Sequence, residues 1–209
     1  MRAFRCRGAA RHGVPATLLA ALVLGTPLPG MAAGPYVEGS HLTFTLPDLE
    51  GMRVYDDDAR FQGKVVLVDL WGSWCPPCLT EIPTLVEMGH RYRDSGLVVV
   101  GIGFERMDAV MKRRAIMRST RDRYGIDYLL LDGGQVRDVA AALPTIRNIS
   151  GLPVQVLIGR DGTVVETWAS AGHSKRWERK LEARIRKALG LDRPGEDGKA
   201  KEPQPPPRR

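Results

Sequence analysis

Cysteine is scarce in this chain of 209 residues: there are three, at positions 6, 75 and 78. So few exclude a disulfide-stapled scaffold, and no second Cys pair or His pair at metal spacing completes a four-ligand zinc site. His41, His90 and His173 are scattered along the chain. Long apolar runs are also missing. The stretch Ala16 to Leu24 is almost wholly apolar but too short to span a bilayer comfortably. Nor does the body carry charge of one sign. Of the net +7, residues 1–33 hold four arginines and no acid, and the segment from Arg193 to Arg209 adds another +2, leaving about +1 in between. The basic pI therefore reflects the ends, and no nucleic-acid partner is expected.

Those ends read as additions to one domain. Arg2, Arg5, Arg7 and Arg11 precede the apolar stretch, and Gly30-Met31-Ala32-Ala33 supplies small residues after it. That order predicts a secretory signal peptide over residues 1–33, cleaved after about Ala32 or Ala33, with an uncleaved membrane anchor as the alternative. Without an adjacent Arg pair or a lipobox-like Cys, neither twin-Arg export nor lipidation has support. Residues 193–209, ending Pro203-Gln204-Pro205-Pro206-Pro207, have too little apolar content to bury and are expected to form a disordered, Pro-rich tail. Residues 34–192 remain as the domain. Cys6 falls in the leader, so the mature chain would hold Cys75 and Cys78 alone. In an oxidising compartment such a pair is catalytic or fortuitous, because closing so short a loop stabilises a fold rather little.

The body is organised around Trp71-Gly72-Ser73-Trp74-Cys75-Pro76-Pro77-Cys78. Val65-Val66-Leu67-Val68 before it reads as a buried strand, and Leu79-Thr80-Glu81-Ile82 after it as the first turn of a helix. The cysteines thus sit at a helix N-terminus, where free amides and the helix dipole favour a thiolate, the species that attacks disulfides. Upstream, His41 to Leu46 and Met52 to Tyr55 suggest a hairpin about the turn Asp48-Leu49-Glu50-Gly51. Downstream, a helix is expected over 80–93, interrupted at Pro83, then a strand from Leu97 to Ile102. A basic helix over 107–124, a short strand at 128–131 and a helix over 135–143 follow. The hairpin 154–168 about Asp161-Gly162 and a helix from the N-cap Ser174 to Gly190 complete the domain. The cations Lys112, Arg113, Arg114, Arg118, Arg121 and Arg123 form either a docking face for an acidic partner or a solvated helix face.

Trp-Cys-Pro-Pro-Cys, Pro83 five residues beyond Cys78, and Leu152-Pro153 before an apolar strand resemble the thioredoxin-like periplasmic thiol-disulfide oxidoreductases, over about residues 42–190. The resemblance implies an α/β, thioredoxin-like fold: a mixed central sheet with helices on both faces and an N-terminal β-hairpin extension. It also implies a periplasmic enzyme without bound cofactor or metal. Its partners would be a client protein with a disulfide or thiol pair, of cytochrome c maturation or copper-centre assembly type, and a membrane electron donor. The stretch Phe44 to Asp48 is also similar to the start of the peroxiredoxin superfamily, but that chemistry needs a Pro-x-x-x-Thr-x-x-Cys setting absent here.

Within this frame Cys75 is expected as the nucleophile and Cys78 as the resolving thiol. Pro76 and Pro77 carry no amide hydrogen, so few donors reach the Cys75 sulfur and a reducing couple is expected. Asp69 matches the buried acid of thioredoxin, where many periplasmic members carry Asn. Its burial would raise its pKa and suit it to proton transfer. Glu81 matches a Glu implicated in thiol ionisation, although a first-turn Glu also suits the helix dipole. Leu152 and Pro153 match the cis-proline opposite the cysteines, with Val154 where the family commonly has Thr; Pro144 is a second cis candidate. Trp74 and Pro76 complete the expected client surface, and Trp71 and Trp74 either shield the sulfurs or simply pack. Two rival readings stay open: a copper(I) chaperone using the Cys pair with Met107, Met111 or Met117, and a disulfide oxidase or isomerase.

Overall fold

The computed structural model describes residues 34–192; the expected leader over 1–33, with Cys6, and the expected tail over 193–209 lie outside the described residues. The chain opens with β1 (Tyr36–Val37), β2 (Thr45–Pro47) and β3 (Arg53–Tyr55), followed by β4 (Val65–Trp71) and α1 (Pro76–Tyr92). Then come β5 (Leu97–Glu105), α2 (Val110–Tyr124), β6 (Leu129–Gln135), α3 (Val139–Ala142) and β7 (Ile146–Arg147). β8 (Val154–Ile158), β9 (Val164–Ala169) and α4 (Lys175–Leu189) close the domain.

A single mixed sheet, ordered β6-β5-β4-β8-β9, carries the core. β4 and β6 run parallel to β5, and β8 runs antiparallel to both β4 and β9. Every residue of β4 is buried, as a strand covered on both faces requires. Side-chain alternation sorts that strand between two cores. Val66, Val68 and Leu70 pack with Leu42, Phe44, Leu46 and Val54 of the N-terminal extension and with Val139 and Leu143. Val65 and Leu67 pack under Leu85 and Met88 of α1 and Leu181 and Ile185 of α4. Trp71 shares that second parity and joins Ile82 of α1 and Met117 of α2. Three helices therefore cover one face, while short α3 and the β2–β3 hairpin cover the other. The α/β, thioredoxin-like architecture is as expected, with faces of unequal weight. Asp69, between Leu67 and Trp71 in the alternation, is directed to the helical face.

Several boundaries differ from expectation for identifiable reasons. α1 begins at Pro76 rather than Thr80, because prolines at the first helical positions need no hydrogen-bond partner for an amide they lack. It continues through Pro83 to Tyr92 as one helix. The helix expected over 135–143 is instead a 3-10 turn, Val136–Asp138, with a capping box between Gln135 and Asp138, followed by a four-residue α3. β6 extends through Gly133 and Gly134; a Cβ on Gly133 would lie 2.6 Å from the Phe104 ring, so this register accepts only glycine there. β7, which pairs with β1 through Tyr36 to Arg147 and Val37 to Ile146, far apart in the chain, was not expected. The basic helix is neither a free docking face nor simply solvated. Arg113 donates to Asp132 at 2.8 and 3.2 Å, Arg114 to the same carboxylate at 3.1 Å, and Arg118 to the Leu49 carbonyl at 2.9 Å. Lys112 and Arg123 remain exposed.

Candidate active site

β4 ends at Trp71, and residues 72–74 swing the chain onto α1 with Cys75 as the N-cap. Cys75 and Cys78 form a disulfide, S–S 2.04 Å and Cα–Cα 5.3 Å. Pro76 and Pro77 offer no N–H, so Cys78 N–H is the first amide of the helix able to donate; it lies 3.3 Å from Cys75 Sγ. Behind the pair, Cys78 is buried beside Trp71 and Ile82. Cys75 is only 3% exposed, less open than its place at the strand-to-helix edge suggested. Half-buried Trp74 and Leu152 pack against the same cluster.

The Leu152–Pro153 peptide is cis, whereas Pro144 is not among the cis bonds of the described residues. The Leu152 carbonyl oxygen lies 3.6 Å from Cys75 Sγ. Pro153 is buried, and Pro76 is exposed at the mouth of α1. Trp74 and Leu152 also line a groove of about 600 Å³ with Val136, Val139, Ile146 and Ile149. Of the expected client-binding residues, Leu152 reaches the Cys75 sulfur and Trp74 packs against the same cluster.

The loop before Cys75 is held by the end of β5, which sequence reasoning did not single out. Glu105 accepts from Ser73 N–H at 3.0 Å and from Ser73 Oγ at 2.7 Å. Trp74 Nε1 donates to the Phe104 carbonyl at 2.8 Å, and the Arg106 guanidinium stacks 3.8 Å from the centre of the Trp74 ring. Gly72 permits that packing: a Cβ there would stand 2.6 Å from Trp74 Nε1 and 2.7 Å from the Phe104 oxygen. Burial raises the Glu105 pKa, partly opposed by its bonds from Ser73.

Asp69 and Glu81, the latter one turn beyond Cys78 on α1, are joined through a single side chain. Both are fully buried, and Gln155 on β8 joins them, its amide nitrogen donating to Asp69 Oδ1 at 2.9 Å and to Glu81 Oε2 at 2.8 Å. Glu81 Oε1 also accepts from Ser170 Oγ and, at 3.1 Å, from Gly172 N–H. Asp69 Oδ2 and Gln155 Oε1 have no hydrogen-bond partner among the described residues. Burial first, and the neighbouring Glu81 charge second, push the Asp69 pKa up to about 7, against the Gln155 hydrogen bond. Burial also raises Glu81, opposed by Ser170, Gln155, Gly172 and the nearby His173. A buried carboxyl that titrates near neutrality can accept and return a proton at working pH. Gln155 was legible in part: it is a polar residue inside the apolar run Val154 to Ile158.

Of the methionines, Met117 shares the buried cluster of Cys75 and Cys78. Met117 is buried against Trp71, whereas Met111 is 72% exposed. Among the described residues no three His, Cys, Asp or Glu converge as metal ligands, and no helix is long and apolar enough to cross a membrane.

Residues 39–167 match the family model described as AhpC/TSA family, well over half of the chain. The chain belongs to the AhpC/TSA family. The matched stretch takes in the β2–β3 hairpin, the cysteine pair and Leu152–Pro153. Two relatives are similar to this chain in sequence. Thiol-disulfide oxidoreductase ResA of Bacillus anthracis is 29% identical over 124 residues, 59% of this chain and 64% of that protein. The Bacillus subtilis ResA is 26% identical over 160 residues, 76% of this chain and 78% of that protein. The match thus spans a little under two thirds of the first of these. A thiol:disulfide interchange protein of the thioredoxin family from Chlorobium tepidum has the same fold, with TM-score 0.58 and 22% identity over 74% of this chain and 98% of that one. A secreted Mycobacterium tuberculosis disulfide oxidoreductase aligns with TM-score 0.51 and 26% identity over 68% of this chain and 93% of that one.

Proposed function

We propose that this AhpC/TSA-family chain is an exported thiol-disulfide oxidoreductase that reduces a disulfide in a client protein. The observation that carries the reading is the cysteine pair at the α1 N-terminus with two buried acids behind it. In the reduced form the Cys75 thiolate attacks one sulfur of the client disulfide, forming a mixed disulfide and releasing the other client sulfur as a thiolate. Cys78 then gives up its proton to the buried acids and attacks Cys75. The Cys75–Cys78 disulfide forms, the second client thiolate leaves, and two electrons have passed to the client.

The direction of flux is inferred from the helix mouth. With Pro76 and Pro77 lacking amide hydrogens, the thiolate has one nearby N–H donor, that of Cys78. The Cys75 pKa then falls only moderately, and the couple lies nearer the roughly −270 mV of thioredoxin than the roughly −120 mV of a strong oxidant. The order of basic, apolar and small residues over 1–33 supports export to the periplasm. There a membrane protein would supply electrons, and an apocytochrome or copper-centre assembly protein would receive them.

Insulin-disulfide reduction tests the reading directly. Wild type should turn over, Cys75→Ser should not, and Cys78→Ser should accumulate a mixed disulfide visible by mass spectrometry. Equal rates for wild type and Cys75→Ser would end the proposal, and a midpoint potential near that of a strong oxidant would reverse the direction.

A further inference from the structure

Gln155 stands in the middle of an otherwise apolar strand and is completely buried. The register places it opposite Asp69. Both hydrogens of its amide are spent on carboxylates from two different elements, Asp69 on β4 and Glu81 on α1. A buried amide costs free energy that an apolar side chain would not, so packing alone gives no reason for it. We propose that Gln155 is a positioning residue that binds Asp69 and Glu81 into one proton-handling unit behind Cys78. The inference rests on the exchange reading above, since it concerns how the proton leaving Cys78 is received.

The two acids are unequally supported. Glu81 has Ser170 Oγ, the Gly172 N–H and Gln155 as donors, whereas among the described residues Asp69 has Gln155 alone and an unpartnered Oδ2. Negative charge therefore settles on Glu81, and the proton on Asp69. The surroundings contribute few other charges. Tyr128, ahead of β6, is held neutral by desolvation and by the Asp69 charge, and His173, ahead of α4, favours ionised Glu81. Cys78 lies three residues before Glu81 on α1, on the neighbouring helical surface, and titrates once the disulfide is reduced. Without the Gln155 hydrogens, Asp69 keeps no donor among the described residues and its ionised form becomes harder to reach. During resolution the Cys78 proton passes to the ionised unit, the Cys78 sulfur bonds to Cys75, and the Cys75–client bond breaks with its electron pair going to the client sulfur.

Loss of a hydrogen bond to a charged carboxylate raises its pKa by about 1–2 units. Carbon-13 NMR titration of the Asp69 and Glu81 carboxyls in the oxidised full chain reads this without a client. Gln155→Met should raise both steps by about 1–2 units; steps that stay where they are in wild type overturn the proposal. Should that variant fail to fold, the wild type still decides. Its two Gln155 amide protons should shift with pH, one following each carboxyl, and flat traces overturn the proposal equally. In kinetics, resolution of a preformed mixed disulfide by Gln155→Met should be about fivefold slower at pH 7 and recover toward pH 9, as a one-unit rise from about 7 requires. A loss equal at every pH would mark Gln155 as merely structural. Carboxyl shifts combined with absent insulin reduction would overturn the exchange function while leaving the positioning role standing.

Discussion

Replacing Asp69 by Asn should change how the protein's stability depends on pH. Asp69 is completely buried and its pKa is pushed up from 3.8 to about 7. Below pH 4 the acid is protonated in both folded and unfolded chains and has no effect. Between pH 4 and 7 the unfolded chain loses this proton while the folded chain keeps it, so stability falls as pH rises. Above pH 7 both forms are ionised and the penalty is complete. At about 1.4 kcal/mol per unit over the interval, wild type loses about 4 kcal/mol between pH 4 and 8 relative to an uncharged side chain of the same shape. Asn supplies that reference, because it keeps an acceptor for Gln155 and cannot ionise. Urea unfolding of the oxidised protein at a series of pH values measures the difference, and subtracting the two variants cancels titrations they share. With a slope near 2 kcal/mol/M, the Asp69→Asn midpoint should gain about 2 M on wild type across this range. Parallel profiles would refute the reasoning, for Asp69 would then ionise in the folded chain as easily as in water.

Two further changes probe the frame around the site. Arg113→Ala leaves Asp132, whose pKa is lowered chiefly by the Arg113 bond against burial, as a buried charge supported by Arg114 and the Gly134 N–H. Calorimetry should show a loss of about 3–5 kcal/mol, against under 1 kcal/mol for the exposed ion-pair variant Arg137→Ala. Because the Asp132 pKa is depressed, its contribution is present above the ordinary carboxylate range and is lost on acidification. Gly72→Ala forces its methyl into Trp74 Nε1 and the Phe104 carbonyl. Trp fluorescence should register displacement of Trp74, insulin reduction should slow about tenfold or more as the loop before Cys75 shifts, and unchanged spectra and rates would contradict the clamp.

Much of this domain is written locally. Cys75 capping α1, the Asp161-Gly162 turn joining β8 to β9, and α4 between Ser174 and Gly190 each depend on residues a few positions apart. Short-range hydrogen bonding and backbone preference decide such features, so reading along the chain finds them. β1 against β7 escaped because two-residue strands carry no period, and their pairing joins residues far apart in the chain. α2 was legible only as a docking or a solvated face for a related reason: the role of its cations appears once Asp132, on a neighbouring strand, is brought beneath Arg113 and Arg114.

The site divides along the same line. The amino-acid order alone offered the cysteine pair and its strand-to-helix setting, from residue type and spacing, and the candidate acids at 69 and 81, from the family resemblance. Only the tertiary structure decided that Gln155 would join the two acids, that Glu105 and Arg106 would grip the loop ahead of Cys75, and that Asp69 would lose its water. Desolvation and bridging require atoms from β4, α1, β5 and β8 to converge, and strand register with helix packing, rather than sequence spacing, sets where they meet.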